Sequence, residues 1–367
     1  MLLPNANEVI ENQIKELRSN GVTVYSFSRL GAFNTCEYSY FNTYIERKKQ
    51  IPNVYSEIGT VMHDSIENLY KRKMNRKEVI SAYENKLIEN DIKGIKFPND
   101  KIKNSYIADM SHYLSNFKVL NGKFTLEKQV LFEIEGSNFT GFIDAIRPSK
   151  KGKPYVDIID WKTSSKFSGD KLQDAGRQLL MYKYAIETTT PFKVDKLMWC
   201  MLKYVNVCYK QKNGKLKERM LNRGKWLSEM RKTFTGDLKK LDYDELEIEI
   251  LLDQAGENNN MDNLPAELRE KYWLEDCYVE YEATEERMLE LNTYVKETVR
   301  TIETKSKNAE EWKPVEINKY NSFYCSNLCG HRKSCSFYQD FINENKESFD
   351  KKETKPSIDS ELFELFT

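Results

Sequence analysis

Asp160 and Lys162 stand two residues apart in the apolar run VDIIDWKTS. Side chains alternate along an extended strand, so both point to one face. A carboxylate beside an ammonium inside an apolar strand costs desolvation free energy that folding does not require. The pair is therefore read as a site that binds a metal ion and activates water. Asp144 is the single acid of FTGFIDAIRP, and His63 lies in IGTVMHDSIENLY. Two carboxylates and an imidazole nitrogen suit a hard divalent cation, Mg²⁺ or Mn²⁺, with water in its remaining positions. The backbone carbonyl of Trp161 is a candidate additional ligand. Glu67 is another, either on a second ion or as a hydrogen-bond acceptor for a ligand. Such an ion stabilises charge on ester oxygens and lowers the pKa of bound water. Lys162 would position that water or neutralise developing negative charge.

These residues need elements that carry them to one place. Gly59, His63 and Glu67 recur every four residues, which on a helix stacks them along one face, with Gly59 leaving room for another backbone. FTGFIDAIRP reads as a strand punctuated by Gly141 and Pro148. VDIIDWKTS reads as a buried strand, and DAGRQLLMYKYAI as an amphipathic helix with Gln178 and Tyr182 on one face. Each residue also has an ordinary structural explanation. His63 alone would be a satisfied core histidine, and Tyr182 an ordinary core aromatic among 22 tyrosines. Asp157 competes with Asp160, but its spacing from Lys162 puts it on the opposite face, so it is read as structural.

The order of helix with His, strand with Asp, strand with Asp-x-Lys and helix with Gln-x-x-x-Tyr resembles the RecB-type nucleases of the PD-(D/E)XK superfamily. The opening segment VYSFSRLGAFNTCEYSYFNTYI is similar to that family's N-terminal motif, with Cys36 in the cysteine position and Glu37 where a proline is usual. The resemblance covers roughly four fifths of the chain. It implies an α/β, restriction-endonuclease-like core, a central mixed sheet flanked by helices, with an N-terminal helical lobe and a C-terminal metal-cluster cap. It implies a divalent-metal-dependent nuclease hydrolysing DNA phosphodiester bonds as an exonuclease in recombination, repair or processing, on DNA that is single-stranded or has free ends. Asp144, Asp160, Lys162, Gln178 and Tyr182 would form the catalytic set, Gln178 and Tyr182 holding Lys162 and the nucleic-acid backbone. His63, Asp144 and Asp160 would converge on the ion. Two alternatives stand beside this: a catalytically silent nuclease fold used as a DNA-binding adaptor, and an RNA-directed nuclease.

A second constellation is NSFYCSNLCGHRKSC, which brings Cys325, Cys329 and Cys335 into eleven residues. With no secretory signal ahead of it, such a group is expected to bind metal rather than form disulfides. AddB-type nuclease subunits and the exonucleases of CRISPR adaptation close their domain with a [4Fe–4S] cluster on one early and three late cysteines. The resemblance implies the same here through Cys36, Cys325, Cys329 and Cys335, although the first late spacing is one residue longer than usual. Zn²⁺ on the three late cysteines with Cys36 or His331 is the alternative. Cys200, Cys208 and Cys277 are read as buried structural residues.

At 367 residues the chain can bury a large core, and no apolar run is long enough to span a membrane. A cytoplasmic location is expected. The 57 basic and 57 acidic residues cancel, but they segregate: Lys203 to Lys240 holds twelve bases and three acids, Asp242 to Glu290 seventeen acids and three bases. The basic stretch is a candidate DNA contact, and solvated helix faces are the alternative. The expected organisation is a helical lobe over 1–123, a catalytic core over 124–210, a partly basic insertion over 211–275, a return strand, helix and cysteine region over 276–344, and a flexible tail over 345–367. Helices are expected near 5–20, 28–47, 57–74, 76–91 and 101–118. The tail ends in an acidic, aromatic segment that could dock a protein partner of a recombination or replication complex. The absence of a Walker-type loop argues against an ATP-driven helicase.

Overall fold

In the computed structural model, residues 6–211, 213–318 and 321–345 are described. The tail after 345, with its expected docking segment, lies outside the described residues. Helix α1 (Asn7–Ser19) and the short strand β1 (Val24–Tyr25) lead into α2 (Phe27–Thr35). The single helix expected over 28–47 is interrupted at Cys36, which is extended at φ −164° and ψ 107°. Its sulfur accepts the Ser39 N–H and so caps a fresh start, α3 (Glu37–Tyr40), which runs into a π-helical turn over Phe41–Ile45. Periodicity does not register such a break, because the apolar spacing continues across it. Helices α4 (Val54–Tyr70), α5 (Arg76–Ile92) and α6 (Asp100–Asn116) each begin at an asparagine, Asn53, Asn75 and Asn99, whose side chain accepts a first-turn amide hydrogen.

Strands β2 (Thr125–Ile134) and β3 (Ser137–Pro148) form a hairpin around Glu135 and Gly136, both at positive φ (50° and 74°). Two left-handed residues are what a type I′ turn requires. Gly141 thus sits inside β3 rather than at its edge. Strand β4 (Tyr155–Lys162) is antiparallel to β3; after α7 (Asp170–Thr189) the chain returns as the long strand β5 (Lys193–Lys210), parallel to β4. Part of the stretch read as an insertion joins the sheet as β6 (Leu216–Asn222), paired with the far half of β5. Helices α8 (Trp226–Lys239), α9 (Glu245–Asn258) and α10 (Ala266–Lys271) follow, α9 extending into the stretch QAGENNNMDNLP expected as a loop. Strand β7 (Tyr272–Glu280), α11 (Glu285–Thr304), a π-helical turn over Tyr324–Leu328 and α12 (Ser336–Glu344) complete the described chain.

Among the described residues seven strands make one mixed sheet. Strands β4 and β7 flank β5 on opposite edges, since both pair with Met198–Cys200. Helices cover both faces. Leu179, Ala185 and Ile186 of α7 pack with Ile158, Trp199, and Leu291 and Val295 of α11, whereas Ile58, Met62 and Ile66 of α4 pack with Trp161, Cys200 and Met110 of α6. A third cluster joins α8 and α9 to the far half of β5 around Trp226 and Phe234. Burying each of these large side chains contributes about 1.5–3 kcal/mol against the entropy of ordering the chain. No helix among the described residues is long and apolar enough to cross a membrane.

Candidate active site

The ladder between β3 and β4 ends at Ala145 opposite Ile159. One step further on, Asp144 and Asp160 would face each other, but the strands part. The Trp161 N–H instead donates to Asp144 Oδ2 at 2.7 Å. The Asp144 carboxylate therefore satisfies an amide that the diverging strand leaves without a ladder partner. That same oxygen lies 3.3 Å from His63 Nδ1, presented by α4.

A third ligand-type group joins them from β2. Nδ1 or Nε2 of His63 and carboxylate oxygens of Glu127 and Asp144 lie within 4.8 Å of one another. Glu127 was not among the residues singled out from the sequence, yet the hairpin contains the signal. Ile134 pairs with Ser137 across the two-residue turn, and Leu126 and Lys128 pair with Ala145 and Ile143. Counting back from Glu135–Gly136 places Glu127 across from Asp144. Glu127 also departs from ordinary strand geometry, with φ at 46°. Asn7, at the start of α1, braces this kink: its Nδ2 donates to the Glu127 carbonyl at 2.7 Å, and its Oδ1 accepts the Gln129 N–H at 2.8 Å.

Asp160 is 2 % exposed and stands outside the 4.8 Å set, although Asp144 and His63 both act on it electrostatically. Its Oδ2 is 2.7 Å from Lys162 Nζ. Lys162 Nζ donates to Gln178 Oε1 at 2.9 Å, and Gln178 Nε2 donates to the Tyr182 hydroxyl, also at 2.9 Å. The amide is oriented from both ends, because reversing it would put its NH₂ against the Lys162 ammonium. Gly141 lies close under this relay. A Cβ on Gly141 would lie 3.3 Å from the Tyr182 ring.

The electrostatics follow from burial and crowding of like charge. Burial pushes Asp160 up to about 6, with Lys162 opposing it and Asp144 adding to it. Glu127 is pushed up to about 7 by burial, then by the Asp144 and Glu67 carboxylates. Burial opposes the charged form of His63, but its hydrogen bond to Asp144 and the two aspartate charges outweigh this and raise its pKa. Carboxylates that repel one another in a partly dry site are a fitting donor set for a divalent cation, which relieves the repulsion.

The remaining sequence candidates fall as follows. Glu67 pairs with Lys71 and is not one of the three grouped ligands. A Cβ on Gly59 would meet the Thr163 hydroxyl at 3.6 Å, an ordinary contact, so no backbone approach demands glycine there. Asp157 pairs with Arg147 Nε at 3.1 Å, away from Lys162. Cys36, Cys325, Cys329 and Cys335 line one small cavity together with Ser39 and Tyr324. Burial, then the nearby Cys329, Cys36 and Cys335, push the Cys325 thiol up to about 12. The Ser39 and His331 amides donate to Cys36 and Cys329 sulfurs, each at 3.4 Å. His331 Nε2 is 2.9 Å from the Thr43 hydroxyl, which leaves Nδ1 as its candidate ligand atom.

A family model described as the PD-(D/E)XK nuclease superfamily matches residues 24–336, a span that takes in every residue of the candidate site except Asn7. No curated protein matches the chain.

Proposed function

The chain belongs to the PD-(D/E)XK nuclease superfamily, and we propose that it is a divalent-metal-dependent deoxyribonuclease that digests DNA from an end. The observation that carries this reading is the parting of β3 and β4, which sets His63, Glu127 and Asp144 beside the chain Asp160, Lys162, Gln178 and Tyr182. When bound, Mg²⁺ or Mn²⁺ would supply charge stabilisation on the phosphate oxygens and a more acidic water.

His63, Glu127 and Asp144 would hold the ion, with Asp160 completing the acidic lining. The Trp161 carbonyl would face it, since the N–H and C=O of an extended residue point to the same strand edge and this N–H meets Asp144. Asp160 and the Gln178 carbonyl both hold the Lys162 side chain in place. From there it can hold the attacking water or the phosphate and offset the negative charge that grows as the ester bond breaks. Gln178 and Tyr182 position Lys162 rather than react. Preference for DNA and for ends is supported by the resemblance of these motifs to RecB-type nucleases.

A [4Fe–4S] cluster on Cys36, Cys325, Cys329 and Cys335 belongs to the same proposal. It is supported by the shared cavity and by amide donors to the sulfurs, which stabilise thiolates bound to iron.

The test is digestion of end-labelled single- and double-stranded DNA with Mg²⁺ or Mn²⁺, comparing wild type with Asp160→Ala and Lys162→Ala. Each variant is expected to lose at least about 100-fold in rate, the scale on which electrostatic stabilisers act. Digestion unchanged in both would sink the assignment. DNA binding without cleavage under either ion would favour the adaptor reading, and preferential digestion of a matched RNA would move the substrate.

A further inference from the structure

A cavity of about 480 Å³ opens directly beside this site. It falls within the span of roughly 300–1,000 Å³ usual for pockets that take small ligands. Its lining begins at Thr163, the residue after Lys162, and includes Arg177, the residue before Gln178. A polymer crossing Lys162 and Gln178 would therefore continue into it. Half-buried aromatic rings from separate elements face it: Phe27 of α2, Phe167 after β4, and Tyr294 of α11. Phe167 is fixed edge-on against Trp199, with ring centroids 5.0 Å apart, which orders it without covering it.

The charge of the cavity is also suited to a polyanion. Lys166, Lys171 and Lys203 line it; Arg177 does too, but it pairs with Glu290 of α11 and with Asp174, the one acid among the described lining residues, and lies 4.1 Å from the centre of the Tyr294 ring. Lys203 is 5 % exposed and donates to the Ser165 hydroxyl at 3.2 Å. Its ammonium also lies 5.3 Å from the centre of the Tyr106 ring. Aromatic faces interleaved with cations are how proteins hold unpaired strands, the rings stacking on bases and the cations meeting phosphates. We infer that this cavity receives an unpaired nucleobase of the strand being cut, next to the scissile phosphate. The inference rests on the nuclease reading for its orientation and adds to it a subsite that binds a base.

Binding without divalent ions tests it independently of cleavage. Wild-type protein in EDTA is titrated into three fluorescent probes: a short oligothymidylate, a base-free phosphodiester oligomer of equal length, and a blunt duplex. The oligothymidylate should bind at least about tenfold more tightly than the base-free strand, the contribution of a stacked base. Phe167→Ala and Phe27→Ala should each remove most of that advantage and leave base-free binding unchanged. Equal binding of the two single strands by wild type would overturn the inference without involving any variant. An advantage that survives both substitutions, or a loss shared equally by the duplex, would also overturn it. Failure of the nuclease reading has a different signature, namely digestion that persists in Asp160→Ala.

Discussion

At the scale of single residues, Glu127 is the group that most alters the picture of the site. It reaches His63 and Asp144 because a left-handed φ kinks β2 where Asn7 takes over the hydrogen bonds of the backbone. A ligand that binds only the folded state raises the melting temperature. Mn²⁺ should therefore stabilise the wild type, and Glu127→Gln should shrink that rise by at least half with little change in the metal-free melting point. An equal rise in both proteins would remove Glu127 from the ligand set. Asn7→Leu keeps the branching of the side chain but leaves the Glu127 carbonyl and Gln129 amide without their side-chain partner. It should lower stability by about 1–3 kcal/mol, measured by urea unfolding. His63, Asp144, Asp160 and Lys162 were legible from residue type and spacing. Glu127 was not, because an acid at a strand end has no signature until the hairpin register is counted.

At the scale of elements, two helical glycines make opposite predictions. On α7 a Cβ at Gly176 would collide with the Tyr281 ring, which packs against Trp199. Gly176→Ala should cost about 1–3 kcal/mol through forced repacking. Gly59→Ala on α4 meets only ordinary contact and should be neutral or stabilising by about 0.5–1 kcal/mol, the usual advantage of alanine within a helix. Denaturant midpoints of the two variants check both. Helix α6 carries a pH effect. Burial, then the Arg223 charge, lowers His112 from 6.5 to about 4. The folded state thus keeps a neutral imidazole where the unfolded chain would protonate. This contribution is fully present above pH 6.5 and is lost as pH falls toward 4. His112→Gln should flatten the fall in melting temperature across that window. Most helices and strands were readable from periodicity, but the interruption at Cys36 was not, because a capping break leaves the apolar pattern intact.

At the scale of the whole molecule, the charge segregation along the chain is partly cancelled in space. Helices α8 and α9 pack together, and Arg231 meets Asp253 at 2.7 Å and Lys239 meets Glu245 at 3.0 Å, while Arg223 pairs with Asp276. Arg223, Arg231 and Lys239, three of the twelve bases of the stretch, are thereby matched to acids that follow it in sequence. The cysteines act at the same scale, since Cys36 near the start and Cys325 to Cys335 near the end of the described chain share one cavity. If they hold a [4Fe–4S] cluster, Cys36→Ser should reduce bound iron, bleach the visible absorption and lower the melting temperature while leaving the Mn²⁺-induced rise intact. Colourless wild-type protein containing zinc would decide against iron.

The sequence by itself determined the residue types able to hold a divalent ion, the order of the elements carrying them and the resemblance to a nuclease family. Those signals are local: a spacing of two on a strand, of four on a helix, one acid in an apolar run. Tertiary structure decided how the pieces meet. Where β3 and β4 part, Asp144 accepts the Trp161 amide hydrogen; across the hairpin, Glu127 joins His63; beside Lys162, aromatic rings from distant elements enclose a cavity. Register, strand divergence and charge pairing join residues far apart in the chain, and no local pattern encodes which of many candidates will be neighbours.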